Sequence, residues 1–200
     1  MNYGTLISKV VEAIEPKLQR KYETRERLLL LSRELIRLSG ETVSLSHRGK
    51  REEALKRFEE SKRKVEEIMR ELSSYPDLLY GDIATSLQEF SEAAVVMSFK
   101  FGEELPLPEH YKIPEPYFVL GIADSIGEMR REVLESIRRG DLKVAEEIFR
   151  IMTEIYEAIW KLEYPKSLVP SLRQKIDHLR RILEETDHDL FLAMLSRTSP

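Results

Sequence analysis

The stretch YFVLGIADSIGEMRR, residues 117–131, carries the periodicity that decides the fold. Val119, Ile122, Ile126 and Met129 recur every three or four residues, and Val133 and Ile137 continue the series. That spacing predicts a helix with one apolar stripe. Its other side is not plainly polar, because Leu120, Asp124, Gly127, Glu128 and Arg131 share it. Gly121 and Gly127 each weaken a helix by about 1 kcal/mol relative to alanine. Asp124 and Glu128 stand one turn apart, where like charges cost roughly 0.2–0.5 kcal/mol. A helix that keeps such residues needs a reason for them. Gly127 lets another group approach the backbone, and Gly121, at the edge of that face, suits close packing of a neighbouring helix.

Outward from this segment helical periodicity continues in both directions, and no alternating strand pattern is found. The stretch GEELPLPEHYKIPEP, residues 102–116, holds four prolines and reads as a loop. Before it, a first long helix is expected from about Pro16 to His47, along Leu28, Leu31, Leu35, Leu38 and Val43, with residues 1–15 as a separate short helix. HRGK ends it, and a highly charged second helix spans roughly Arg51 to Ser73. Pro76 is suited to open a third, reaching about Phe101. The helix of the opening stretch closes at RRGD. A fifth covers about Leu142 to Leu162, and a last one runs from Leu168 to about Leu190 before a tail over 191–200. The sequence thus predicts one all-α domain, an antiparallel bundle of six or seven helices joined by short connections.

Composition narrows the function. The 200 residues carry 32 Lys and Arg against 36 Asp and Glu, a net charge of −4, which argues against a wholly basic nucleic-acid binder but permits a local basic patch. There is no cysteine, so disulfides and thiolate metal sites are excluded, and a reducing cytoplasm is the expected setting. No apolar run approaches the ~20 residues that span a bilayer.

In the third helix, Ile83, Leu87, Phe90, Ala94, Met97 and Phe101 form one stripe. The opposite side mixes Val96 and Phe99 with Thr85, Glu89 and Glu92, so this helix is expected to lie between two layers, or between one layer and another subunit. Glu89 and Glu92 are three apart, Asp124 and Glu128 four apart, and each pair projects from one helix face. Hard divalent cations such as Mg²⁺ or Mn²⁺ prefer carboxylate oxygens. Among 36 acidic residues, chance pairs at these spacings are the ordinary reading, with solvated surface pairing of the kind Glu52–Lys56.

The segments LQEFSEAAV and YFVLGIADSIGEMRR resemble those of the translin family, closest to its catalytic, translin-associated factor X branch. LLLLSRELIRLSGETVSLSHRGK is similar to that family's first long helix, and IRRGD also fits. The resemblance covers roughly residues 20–190. It implies an all-α, oligomer-forming fold, a homo-octamer that binds single-stranded RNA, with single-stranded DNA as a further ligand. It further implies a Mg²⁺-dependent endoribonuclease, with Mn²⁺ as the alternative ion and Glu89, Glu92, Asp124 and Glu128 as catalytic and metal-binding carboxylates. Phosphate contacts are expected from Arg33, Arg37, His47, Arg48, Lys50 and Arg51 around the end of the first helix, and from Arg130 and Arg131 beside the acidic residues. Tyr80, Phe99 and Tyr117 are candidates for stacking on bases.

Other chemistries find little support. No nucleophile elbow, Walker sequence or dinucleotide fingerprint is present. A di-iron bundle wants two Glu-x-x-His motifs, and only Glu185–His188 fits. The serious alternative is a translin-like oligomer that binds RNA or DNA without cutting it, and a third reading is a purely structural oligomer whose second helix faces are subunit interfaces.

Overall fold

The computed structural model describes residues 2–162 and 164–198. They form α1 (Tyr3–His47), α2 (Arg51–Leu72), a 3₁₀ turn (Pro76–Leu78), α3 (Gly81–Phe101), the one-turn α4 (Pro108–Tyr111), α5 (Glu115–Arg139), α6 (Leu142–Trp160) and α7 (Leu172–Thr198). Among the described residues the fold is all-helical, as expected. Helix ends follow local chemistry. Gly102 and Gly140 close α3 and α5 at φ 67° and 78°, left-handed values that cost other residues energy. Asp141 caps α6 by accepting from the Val144 N–H at 3.3 Å.

The expected break at Pro16 is corrected: α1 is continuous from Tyr3, with Pro16 inside it. Tyr3, Ile7, Val11, Ile14, Leu18 and Tyr22 keep one helical period through the proline. Residues 2–20 are exposed throughout, so water can take the carbonyl that proline leaves unpaired. Pro76 does not open α3 either. It begins the 3₁₀ turn that buries Leu78, and α3 starts five residues later. The last helix starts later than expected and runs further, past Leu190 to Thr198, so most of the anticipated tail is helical. Residues 199–200 of that tail lie outside the described residues.

Two hydrophobic cores form, and α3 belongs to both. In the first, Leu28 and Leu35 of α1, Phe58, Val65 and Ile68 of α2, and Leu87, Phe90 and Met97 of α3 are buried together. Phe58 stacks on Phe90 at 5.3 Å, and Tyr111 meets Phe90 edge-on at 4.9 Å. In the second, Val95 of α3 joins Ile126, Met129 and Val133 of α5, Ile148 and Met152 of α6, and Leu172 and Leu179 of α7. The two-sided apolar pattern of α3 thus places it as the middle layer. Where α3 crosses α5 the backbones nearly touch. A Cβ built on Gly121 would lie 2.5 Å from the Gln88 carbonyl oxygen and 2.8 Å from the Glu92 nitrogen.

Candidate active site

The α3–α5 crossing at Gly121 brings the two acidic pairs of the sequence into one electrostatic environment. Glu89 and Glu92 project from α3, Asp124 and Glu128 from α5, and all four are half-buried. Neither Glu89 nor Glu92 makes a hydrogen bond or ion pair with another described residue. Burial, and then the charges of Glu89, Asp124 and Glu128, push the Glu92 carboxyl up to about 8. Glu89 is raised for the same reasons, burial first and Asp124 second.

The α5 pair is answered by protein cations. Lys175 of α7 pairs with Oδ1 of Asp124, while Gln88 donates to Oδ2 at 2.5 Å. Glu128 meets Nε2 of His47 at 2.5 Å, with Arg131 4.0 Å away. On its other side, Nδ1 of His47 lies 2.6 Å from Glu132, which Lys100 pairs with at 2.8 Å. A neutral imidazole can donate from one nitrogen only. With carboxylates at both, the charged ring is favoured, and the hydrogen bond to Glu128 leads the influences that raise its pKa. Glu128 is correspondingly held below the usual carboxylate range, chiefly by that bond. Glu132 is also lowered: burial acts against its charge, but the hydrogen bonds from Lys100 and His47 prevail.

Four carboxylates supply the oxygen donors a hard divalent cation requires, and the raised Glu92 marks negative charge short of a counter-ion. Among the described residues, however, no three Asp, Glu or His side chains converge as a preformed cation cage. Two of the four candidate ligands are occupied by Lys175 and His47.

Beside the acidic set lies an open groove of about 1180 Å³ between the end of α1, the second half of α5 and the end of α7. Arg48, Gly127, Arg130, Arg131, Arg138 and Arg139 line it. Gly127 is exposed, and beyond its own stretch of helix no described residue lies within 4 Å of where its Cβ would be. The closest approach to the Gly127 backbone is therefore open to a ligand.

The basic candidates separate. Arg48 and Arg131 are exposed on the groove. Arg130 instead clasps α7, donating to Thr186 at 2.8 Å and to the Ile182 carbonyl at 3.1 Å, and pairing with Asp189 at 3.0 Å. The His47 side chain is only 7% exposed, bound between two carboxylates, so it orients Glu128 instead of offering a surface contact. Arg37, Lys50 and Arg51 are exposed and paired with Glu41, Glu53 and Glu103. Arg33 is exposed on α1, outside the groove lining. Of the aromatic candidates, Phe99 and Tyr117 pack partly buried against the two cores. Tyr80 is exposed, its hydroxyl accepting from Arg25 at 3.4 Å.

Four members of the constellation escape the sequence reading. Glu132 was within reach, one turn beyond Glu128 on the same face, and Gln88 is one turn before Glu92. Lys100, at the end of α3, and Lys175, 51 residues from Asp124, carry no local signal.

Comparison with known proteins agrees with the architecture. A protein of Methanocaldococcus jannaschii is 34% identical over 175 residues, covering 86% of this chain and 78% of that protein. The AfC3PO structure in complex with duplex RNA superposes with a TM-score of 0.85 at 29% identity, covering 95% of this chain and 99% of the other. A second structure of AfC3PO, a crystal structure, gives 0.84 at 30%, covering 94% and 98%. Apo-NeC3PO, at 20% identity, shares the fold with a TM-score of 0.82 over 92% of this chain and 96% of that one. The family model for translin matches residues 23–190, and the chain belongs to the translin family.

Proposed function

We propose that this protein is a divalent-metal-dependent endoribonuclease acting on single-stranded RNA, with single-stranded DNA as a further ligand, and that it works as a homo-oligomer, an octamer by family resemblance. One observation carries the proposal. Four half-buried carboxylates project from two tightly crossed helices beside an arginine-lined groove, and two of them make no hydrogen bond or ion pair with another described residue. Glu89, Glu92, Asp124 and Glu128 would hold Mg²⁺ or Mn²⁺. When bound, such an ion supplies Lewis acidity and neutralises charge developing on a phosphate.

The chain's own groups do the rest. Arg48, Arg131, Arg138 and Arg139 attract the phosphate backbone along the groove. Gly127 leaves room for that backbone to pass close to α5. His47, fixed by Glu132, holds the Glu128 carboxylate in one orientation. Glu92, pushed up to about 8 by burial and by the other carboxylates, would give up its proton to a bound divalent ion, so metal binding should release a proton near neutrality. That the structurally similar AfC3PO is seen with duplex RNA supports an RNA ligand and makes strand preference part of the test.

The decisive experiment is cleavage of end-labelled single-stranded and duplex RNA, with metal removed and restored, by the wild-type chain and by Glu92→Gln. Cutting that requires metal and fails in the variant while binding persists is the expected result. Occupation of Asp124 and Glu128 by Lys175 and His47 favours the second reading, a binder that does not cut. RNA that is retained but intact at every metal concentration would establish it.

A further inference from the structure

Lys175 is the one ammonium inserted directly into the acidic set among the described residues. Its side chain is 25% exposed and that of Asp124 28%, so the pair sits at the edge of solvent. α7, which carries it, is held independently of the pair. Leu172, Ile176 and Leu179 are buried in the second core, and Arg130 clasps the helix further along at Thr186 and Asp189. The Lys175 side chain can therefore leave Asp124 without the helix moving. A lysine suits such a part, being a compact charge on a flexible four-carbon stem that donates from several directions and accepts nothing.

A divalent ion and an ammonium compete for the same carboxylate oxygen. Were both to stay on Asp124, like charges would lie a few ångströms apart in a half-buried site, where their repulsion exceeds its value in water. Exchanging the monovalent group for a divalent one answers more of the negative charge gathered from Glu89, Glu92, Asp124 and Glu128.

We propose that Lys175 is a stand-in cation: it neutralises Asp124 in the metal-free protein and is displaced when a divalent ion enters, so that it sets the metal affinity of the site. The inference rests on the assignment of the four carboxylates as metal ligands. Lys175 on this view is a positioning residue, acting through Asp124.

The test is Mn²⁺ and Mg²⁺ binding by calorimetry, together with the metal-induced rise in melting temperature, for the wild type, K175M, K175R and D124N. K175M is expected to bind Mn²⁺ at least ten-fold more tightly, to melt several degrees lower without metal, and to gain more from metal than the wild type. K175R, which keeps the charge, should bind nearer the wild type, and D124N should bind weakly. Equal or weaker Mn²⁺ binding by K175M, while the wild type binds metal normally, overturns the role of Lys175 and leaves the metal site standing. No binding by either, with D124N indistinguishable, overturns both.

A second measurement needs no unstable variant. Lysines of the wild type can be reductively methylated with ¹³C-formaldehyde, which preserves their charge, and the Lys175 signal assigned by its absence in K175R. Addition of Mg²⁺ should move that signal to the position of solvent-exposed lysines. An unmoved signal at saturating Mg²⁺ refutes displacement.

Discussion

Gly121 of α5 and Ser91 of α3 lie so close that a methyl group on Gly121 would stand 2.5 Å from the Ser91 Cβ. The same methyl would press on two backbone atoms, the Gln88 oxygen and the Glu92 nitrogen, which cannot rotate away. Gly121→Ala should therefore force the helices apart despite the gain in helix propensity of about 1 kcal/mol. Overpacking of this kind costs about 1–3 kcal/mol. A net loss of up to about 2 kcal/mol is expected in urea denaturation, with a larger proportional loss of metal binding, because the separation carries Glu89 and Glu92 away from Asp124.

Gly127 presents the opposite case on the same helix. It is exposed, and an added Cβ would meet nothing within 4 Å. Gly127→Ala should stabilise the protein by about 0.5–1 kcal/mol. If RNA passes over α5 at this point, the same methyl should weaken RNA binding several-fold. Fluorescence anisotropy and thermal melting on one preparation check both; unaltered RNA affinity would remove the groove floor from the binding path.

Glu92 makes stability depend on pH in an unusual direction. Its carboxyl is pushed up to about 8 in the folded chain from the ordinary 4.5. Between those values the native state keeps a proton that the unfolded chain has released, so stability falls as pH rises. Glu92→Gln removes that loss. Discounted for the partial exposure of the group, the variant should gain on the order of 2 kcal/mol at pH 8.5 in metal-free buffer. The gain should vanish near pH 4 and shrink when Mg²⁺ is added. A gain independent of pH would show that packing, not charge, is responsible.

Glu132 behaves conventionally. Its pKa is lowered, so the stability it contributes is present above the unfolded value and lost as pH falls through the folded one. Glu132→Gln leaves Lys100 and His47 without this counter-charge and should cost about 2 kcal/mol at neutral pH. Chemical denaturation at pH 7 and near pH 3 should show a clear gap that closes in acid. Because His47 also loses its tether, the variant should bind metal more weakly than its stability loss alone explains.

How legible this was depended on the range of the interaction. The apolar series on α2, α3 and α5 marked three helices because burial imposes a period on neighbours in sequence. Two-sided burial of α3 was visible in Val96 and Phe99 beside Glu89 and Glu92, and the fold places that helix between two cores. Pro16 misled because a proline's local cost competes with favourable neighbours on both sides, and in an exposed helix the neighbours prevail. The basic candidates were legible as charges but not as roles. Arg130 and Arg131 are adjacent in sequence, yet a helix turns about 100° between them, sending one to clasp α7 and leaving the other exposed on the groove. Lys175 could not be anticipated, since only the docking of α7 on α5 brings it to Asp124.

The exposed beginning of α1 has a practical meaning. Residues 2–20 contribute nothing to either core, and the first ion pair from α1 to another element is Lys21 with Asp77. This part of the helix is severable: a chain opening near Lys21 keeps every buried side chain described above. Leu6, Ile7, Val10, Val11, Ile14 and Leu18 leave on one handle, with both cores and the four carboxylates untouched. Any difference in solubility or assembly between the long and short forms then belongs to five turns of helix and to no other part of the molecule.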